Sequence, residues 1–176
     1  MSSLIYKSGD YDTQKRRIDE VEELYSHEIE EFVESRRVKG SPAASVFRGV
    51  YAINQLPENT LASPFTLIVN TQTSNLPGLH WIGVWMDEDR LAEVFDPLAQ
   101  PTQPRLRKWL YSQKALRIVR NYRMVQHPRS SVCGHFVLVY VLRRPRYKNL
   151  KDFLNTELTR SMFLNTKIVK NFYNDK

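Results

Sequence analysis

The chain carries one cysteine, Cys133, in the run Ser130-Ser131-Val132-Cys133-Gly134-His135-Phe136, directly ahead of an apolar stretch from Phe136 to Leu142. A lone thiol can be neither half of an intramolecular disulfide nor part of a cysteine-rich metal site, which leaves an inert core side chain or a nucleophile. The other residues favour the nucleophile. Gln126 stands seven residues earlier, and Gly78-Leu79-His80-Trp81 and Val94-Phe95-Asp96-Pro97 lie upstream. His, acid, Gln and Cys in that order are the parts of a thiol hydrolase. The thiolate attacks a carbonyl, the imidazole moves the proton, the acid orients the imidazole and the amide donates to the oxyanion. Singly, each part has an ordinary structural explanation; the combination is what carries the chemistry.

These residues need elements to hold them. Cys133 to Arg144 reads as a helix that Pro145 ends, apolar on nearly all faces and therefore buried. Its N-terminal N–H groups and dipole would favour a thiolate at Cys133, with Ser130 or Ser131 as the N-cap and Gly134 letting a substrate backbone come close. Trp81–Trp85 and Leu91–Phe95 flank the polar run Asp87-Glu88-Asp89-Arg90, a hairpin signature. His80 opens the first strand and Asp96 follows the second, so an antiparallel hairpin brings them side by side. Gln126 and the Cys133 N–H would share the oxyanion. Of the rival bases, His135 follows Cys133 by two on the same helix and points away from it. His127 has no evident acid partner, and His27 falls on a charged helix.

The remaining pattern predicts a long charged helix over 12–38, with Ile18, Val21, Leu24 (or Tyr25), Ile29, Phe32 and Val33 as its apolar stripe and Lys39-Gly40-Ser41-Pro42 as its stop. Strands are expected within 46–53 and over 65–69. A helix is expected over 103–114, a half-exposed strand over 116–124 and a further helix over 150–164. At 176 residues the chain is long enough for one domain with a real core. Met1–Asp10 lacks the apolar core of a secretory leader, and no apolar stretch approaches a membrane span. One cysteine suits a reducing compartment.

The net charge of +7 is unevenly spread. Residues 1–96 carry 9 Lys/Arg and 16 Asp/Glu, whereas residues 97–151 carry 13 Lys/Arg and no acid. Gathered in space, the second set would form a surface for a polyanion, most naturally nucleic acid; dispersed, it is a solvated basic face.

The segments around His80, Asp96, Gln126 and Cys133-Gly134 resemble the adenovirus endopeptidase (adenain) family of cysteine proteases and, more distantly, proteases that process ubiquitin-like modifiers. Gly49-Val50-Tyr51, Leu56-Pro57 and Leu67-Ile68-Val69-Asn70-Thr71 extend the likeness upstream, so that it covers about residues 46–145. The resemblance implies an α+β fold, with a central mixed sheet packed against the helix that carries the catalytic Cys. It implies a single protease domain over 1–176, with 46–145 as the catalytic core. It also implies Cys133 as nucleophile, His80 as base, Asp96 as orienter, Gln126 as oxyanion donor, and Trp81 beside the His in a narrow cleft that selects glycine. Two departures stand out. The third member is Asp where adenain has Glu, and there is no second cysteine to tether a peptide cofactor.

The expected function is therefore a cysteine endopeptidase, acting as a monomer away from membranes on viral or virus-like structural precursors. Removal of ubiquitin-like modifiers is the alternative within the same chemistry, and a nucleic-acid-binding protein on an inactive protease fold is the alternative outside it. The chemistry needs no metal or cofactor; DNA or a noncovalent peptide is the candidate activator. The expected DNA contacts are Arg105, Arg107, Lys108, Arg117, Arg120, Arg143, Arg144 and Arg146. The expected location is the virion and host nucleus for a viral enzyme, and otherwise inside the cell rather than secreted.

Overall fold

A computed structural model describes residues 23–76, 78 and 80–175. In chain order these form α1 (Ser26–Val38), α2 (Pro42–Ser45), β1 (Phe47–Ala52), β2 (Phe65–Asn70), β3 (Trp81–Met86), β4 (Leu91–Phe95), α3 (Pro104–Ser112), β5 (Arg117–Arg120), α4 (Cys133–Arg143), a 3-10 turn (Arg144–Arg146), α5 (Leu150–Glu157) and α6 (Met162–Asn174). The strands make one mixed sheet in the order β1-β2-β3-β4-β5. The two outer pairings are parallel and the two inner ones antiparallel.

The central strands are buried on both faces, so alternation sorts their side chains between two cores rather than between core and water. From β3, Trp81 and Trp85 join the core under α4 and its neighbours, while Ile82, Val84 and Met86 join the core under α3. Leu106, Trp109 and Leu110 are the buried stripe of α3. Beside them stand the exposed Arg105, Arg107 and Lys108. Helix α4 is buried along nearly its whole length, from Cys133 to Leu142. It lies close on β3 because Gly83 leaves room for the Tyr140 ring. A Cβ on Gly83 would stand 2.4 Å from Tyr140 Cδ1. This close approach fixes the helix that carries Cys133 over the strand that begins after His80.

Three expectations need correction. Residues 12–22, with Ile18 and Val21, lie outside the described residues, but the helix does not run through 23–25. Tyr25 is an extended N-cap whose N–H donates to Glu28 Oε2 (2.8 Å), so α1 starts at Ser26. Leu24, placed on the helical stripe, lies ahead of the helix and is buried from there instead. The strand expected over 116–124 ends at Arg120, because Asn121 turns its side chain back onto the β4 exit. The helix expected over 150–164 is two helices. Leu158 is extended (φ −128°, ψ 146°), and the Ser161 hydroxyl accepts from Leu164 N–H to start α6.

Candidate active site

His80 and Asp96 flank the β3–β4 hairpin, whose last ladder pair at that end is Gly83 with Phe95. Their side chains meet: His80 Nε2 and Asp96 Oδ1 are 2.7 Å apart, and both residues are buried. Asp96 Oδ1 also accepts from Leu98 N–H (2.7 Å), which fixes the carboxylate from the other side. With Nε2 on the acid, Nδ1 is the ring nitrogen left for a thiol. Burial alone would lower the His80 pKa. Hydrogen bonding to Asp96 and Cys133, with their negative charge, outweighs it and raises the value to about 9. At neutral pH the imidazole is therefore held as an imidazolium beside the Asp96 carboxylate and the Cys133 sulfur.

Cys133 is the first residue of α4, and only 3% of its surface is exposed. The N-cap position is Val132 rather than a serine, and Val132 makes no side-chain cap hydrogen bond; the Ser130 hydroxyl donates to the His127 carbonyl. The first turn of a helix carries N–H groups without intrahelical partners, which suit an anion at the thiol or a reacting carbonyl.

Gln126 is 1% exposed. Its Nε2 donates to the Ser130 carbonyl (2.7 Å), which anchors the amide and leaves its second N–H to donate elsewhere. Its Oε1 is buried without a hydrogen-bond partner. Its backbone is held as well: the Pro97 carbonyl accepts from both Val125 N–H (2.9 Å) and Gln126 N–H (3.1 Å). The turn after Asp96 therefore also sets the position of Gln126.

The other histidines are placed as their spacing implied. His135 is buried edge-on against Tyr173. Its pKa is lowered to about 4, by burial first and then by Lys170, against a smaller opposing effect of Glu28. It is a neutral core residue. His127 Nδ1 accepts from Arg129 N–H (3.2 Å), and His27 stacks on Tyr25 at the surface.

Leu24 is the residue that sequence reasoning misplaced. Its carbonyl accepts from the Trp81 indole N–H (2.9 Å). Its Cβ lies 2.9 Å from where a Cβ on Gly134 would be. Gly134 is therefore not an opening for substrate backbone, as expected; it is the seat for Leu24. Trp81 and Leu24, with Tyr51, Leu76, Asn70 and Gly78 among others, line a groove of about 520 Å³ beside His80. Asn121 was also missed. It is buried, and its side-chain amide grips the backbone of Asp96 at both N–H and C=O.

The expected DNA contacts divide. Arg105, Arg107 and Lys108 on α3, Arg117 on β5, and Arg146 are exposed. Arg120 is half-buried over the Tyr122 ring (4.1 Å) and donates to the Ala99 and Asn121 carbonyls. Arg143 is committed to Glu157 and to the Phe172 ring. Arg144 is buried and bound to Glu93 through Nε and Nη2 (2.5 and 2.6 Å), so it faces no external phosphate. At the far edge of the sheet a groove of about 900 Å³ gathers Arg117, Arg120, Arg123, Lys151 and Arg160 over an apolar floor that includes Leu91, Val119 and Leu154. Among the described residues no group of His, Cys, Asp and Glu is placed to hold a metal ion, and no helix is long and apolar enough to cross a membrane.

No protein-family model matches the chain, and no curated protein matches it in sequence. Solved structures do match. The ASFV pS273R protease superposes with a TM-score of 0.60 at 14% identity, over 82% of this chain and 66% of that one. The chain thus spans just under two thirds of that enzyme. Xanthomonas XopD, of the ubiquitin-like protein proteases, aligns at TM-score 0.46 and 16% identity, over 84% of this chain and 99% of its own. The SUMO protease Ulp1 aligns at 0.46 and 13%, over 96% and 97%. The mixed sheet with Cys133 at the head of its central helix is the adenain-like cysteine protease fold.

Proposed function

We propose that the chain is a cysteine endopeptidase that cleaves viral or virus-like precursor proteins close to glycine. The observation that carries the reading is the His80–Asp96 pair, 2.7 Å apart and buried, acting with the thiol of Cys133 at the start of α4. A structural histidine would have no reason to hold an imidazolium against a lone cysteine. The fold supports the reading as well.

In this mechanism the Cys133 thiolate attacks the peptide carbonyl. The oxyanion forms against the Cys133 N–H and the second amide N–H of Gln126. The His80 imidazolium protonates the leaving amine, which departs as the tetrahedral intermediate collapses to a thioester. The neutral imidazole then takes a proton from water as the hydroxide adds to the thioester; the C–S bond breaks, which releases the carboxylic acid and returns the Cys133 thiolate beside the imidazolium. Asp96 holds the ring in the tautomer that keeps Nδ1 toward sulfur. The strap of Leu24 over Gly134 and Trp81 narrows the approach to the thiol, which favours residues without side chains at the cut.

The activator in this reading is DNA, bound without base reading. The buried Arg144 and the committed Arg143 drop out of the contact set. The basic groove at β5, with the exposed cations of α3, takes their place; Arg146 shares its surroundings with Asp87, Glu88 and Asp89. A noncovalent peptide remains the other activator to assay. The enzyme works as a monomer in the virion and host nucleus.

The test is labelling and turnover with glycine-ended electrophilic peptides and peptide substrates, with and without duplex DNA. A folded ubiquitin-like modifier fused to a reporter runs in parallel. Labelling at Cys133 and peptide cleavage are expected. Cleavage of the fusion alone would move the substrate class to modifiers, and no labelling at all would leave an inactive fold.

A further inference from the structure

Asp96 is held by its carboxylate, but also by its backbone, and the residue that does this has no chemistry of its own. Asn121 follows the last residue of β5 and is buried. Its Oδ1 accepts from Asp96 N–H (2.9 Å) and its Nδ2 donates to the Asp96 carbonyl (2.6 Å). The same Nδ2 donates to the Arg123 carbonyl (3.1 Å). The side chain thus imitates one more rung of the β4–β5 ladder after β5 has ended, and ties that rung to the segment leading to Gln126. At the next residue, the Pro97 carbonyl takes the N–H groups of Val125 and Gln126, and Ala99 N–H closes the turn onto the Asp96 carbonyl (2.8 Å). The turn 96–99 and the segment 121–126 are therefore stitched together by hydrogen bonds at Asp96 and Pro97.

We propose that Asn121 is a positioning residue that sets Asp96 and Gln126 together, so that the acid holding His80 and the amide facing the oxyanion share one support. This rests on the thiol-protease reading of the Cys133–His80–Asp96 site. An ordinary backbone ladder cannot make this link, because the chain must leave β5 here to reach Gln126. A side-chain amide supplies a donor and an acceptor in the spacing of a peptide group, and Asn is the shortest residue that does so. Without it, the Asp96 N–H and the Arg123 carbonyl lose their described partners. The turn can then drift, and Asp96 Oδ1 drifts with it from His80 Nε2. The high pKa of His80, which depends on that contact, falls with it.

The experiment replaces Asn121 by Ala and, as a milder change, by Ser, which is too short to span both Asp96 groups. Gln113→Ala is the control. Gln113 is an equally buried amide that clamps backbone, accepting from Leu61 N–H (2.8 Å) and donating to the Asn59 carbonyl (3.0 Å), in a loop remote from the thiol. Two substrate-free readouts are used: the pH midpoint of His80 titration by NMR, and the pH profile of Cys133 alkylation by iodoacetamide. Both are read on folded protein, and the Ser variant serves if the Ala variant unfolds. Peptide turnover is the third readout. Asn121→Ala is expected to move the His80 midpoint down from about 9 by at least half a unit, with the alkylation profile following. It should lower kcat by roughly 10–100-fold with KM within about twofold, as expected for a displacement of about an ångström. Asn121→Ser should shift in the same direction and less. Gln113→Ala should lose stability and leave both profiles in place. If the Asn121 variants lose only stability, as the control does, the proposal is overturned. If the His80 midpoint moves although no peptide is ever cleaved, the positioning role stands and the protease reading fails.

Discussion

Strand β4 and its exit carry two buried carboxylates, Glu93 and Asp96, and each is paired with a basic side chain. Glu93 takes Arg144 through two nitrogens, and also the Leu150 N–H (3.2 Å) and the Tyr140 hydroxyl (3.4 Å). Every acceptor site is used, and the guanidinium cannot give up its proton near neutral pH. The Tyr140 hydroxyl cannot give one either, since burial and then the charge of Glu93 push its pKa well up. The pair is a joint that fastens the sheet to the end of α4 and the start of α5. Asp96 has the same burial and a similar distance, but its partner is an imidazole whose second nitrogen serves a thiol. The chemistry of a buried acid is decided here by whether its partner can move a proton.

That contrast breaks most visibly at the thiol end. Cys133→Ala should abolish both peptide cleavage and alkylation while the fold survives, and His80→Ala should cost several orders of magnitude in rate. Cleavage by the Cys133→Ala chain at the wild-type rate would end the assignment. The two acids should then separate by type of effect. Asp96→Asn should fall mainly on the rate, lowering kcat by up to roughly 10⁴-fold with a smaller loss of stability as the His80 imidazolium loses its counter-charge, since the amide keeps the shape but favours the wrong tautomer of His80. Glu93→Gln should do the reverse, costing about 3–5 kcal/mol because it leaves Arg144 buried without a counter-charge. Activity per folded molecule should stay near wild type. Urea melts beside active-site titration measure both. Equal rate losses in the two variants would erase the distinction drawn between them.

The sequence made the two acids legible to different degrees. Asp96 could be found because it lies at the end of a hairpin whose start holds His80, and hairpin geometry alone places those ends together. Glu93 gave no signal, since one acid in an apolar strand says nothing of a partner 51 residues away. Arg144 was consequently assigned to a DNA surface by the charge of its neighbours, although the strand had already claimed it. The hairpin, α3 and the buried α4 were readable from local pattern: a polar turn between two apolar strands, Pro101 and Pro104 at the head of α3, and an all-apolar run that Pro145 ends. Leu24 and Asn121 were not. Leu24 fitted the apolar stripe of a helix although α1 begins only at Ser26, and Gly134 looked open because its occupant comes from 110 residues away. Asn121 substitutes a side chain for a missing strand residue, and a contact between elements leaves no period in the sequence.

Gln126 tests whether the two ends of the 96–99 turn act as one device. Gln126→Ala should lower kcat by roughly 10²–10³-fold with KM little changed, because the amide serves charge that appears only in the transition state. Single-turnover and steady-state kinetics separate the two constants. A loss confined to KM would make Gln126 a substrate contact and dissolve its link to Asp96. A smaller kcat loss than that of Asn121→Ala would show that the anchoring matters more than the amide itself.

The smallest expected effect sets His80 against the buried His135, two residues after Cys133. The two rings are held in opposite states. His80 has a folded pKa of about 9, above the ordinary 6.5, so its charged form is favoured by folding. Its contribution to stability is complete below pH 6.5 and is lost as pH rises through 9. His135 has a folded pKa of about 4, lowered first by burial, so the unfolded chain binds its proton more readily. Its contribution is complete above pH 6.5 and is lost as pH falls through 4. Between pH 7.5 and pH 5 this one ring should cost roughly 2 kcal/mol of stability, at about 1.4 kcal/mol per pKa unit. The charged groups acting on it are Glu28 from α1 and Lys170 from α6, with the Tyr173 ring at its edge. Urea melts at the two pH values, in wild type and in His135→Phe, isolate it from the carboxylates that titrate lower. The phenyl ring should remove most of the loss, and the alkaline limb of Cys133 alkylation near pH 9 should not move. An unchanged acid slope in His135→Phe would mean that the ring is charged in the fold. A displaced alkaline limb would mean that the two histidines are coupled through α4 rather than insulated by it.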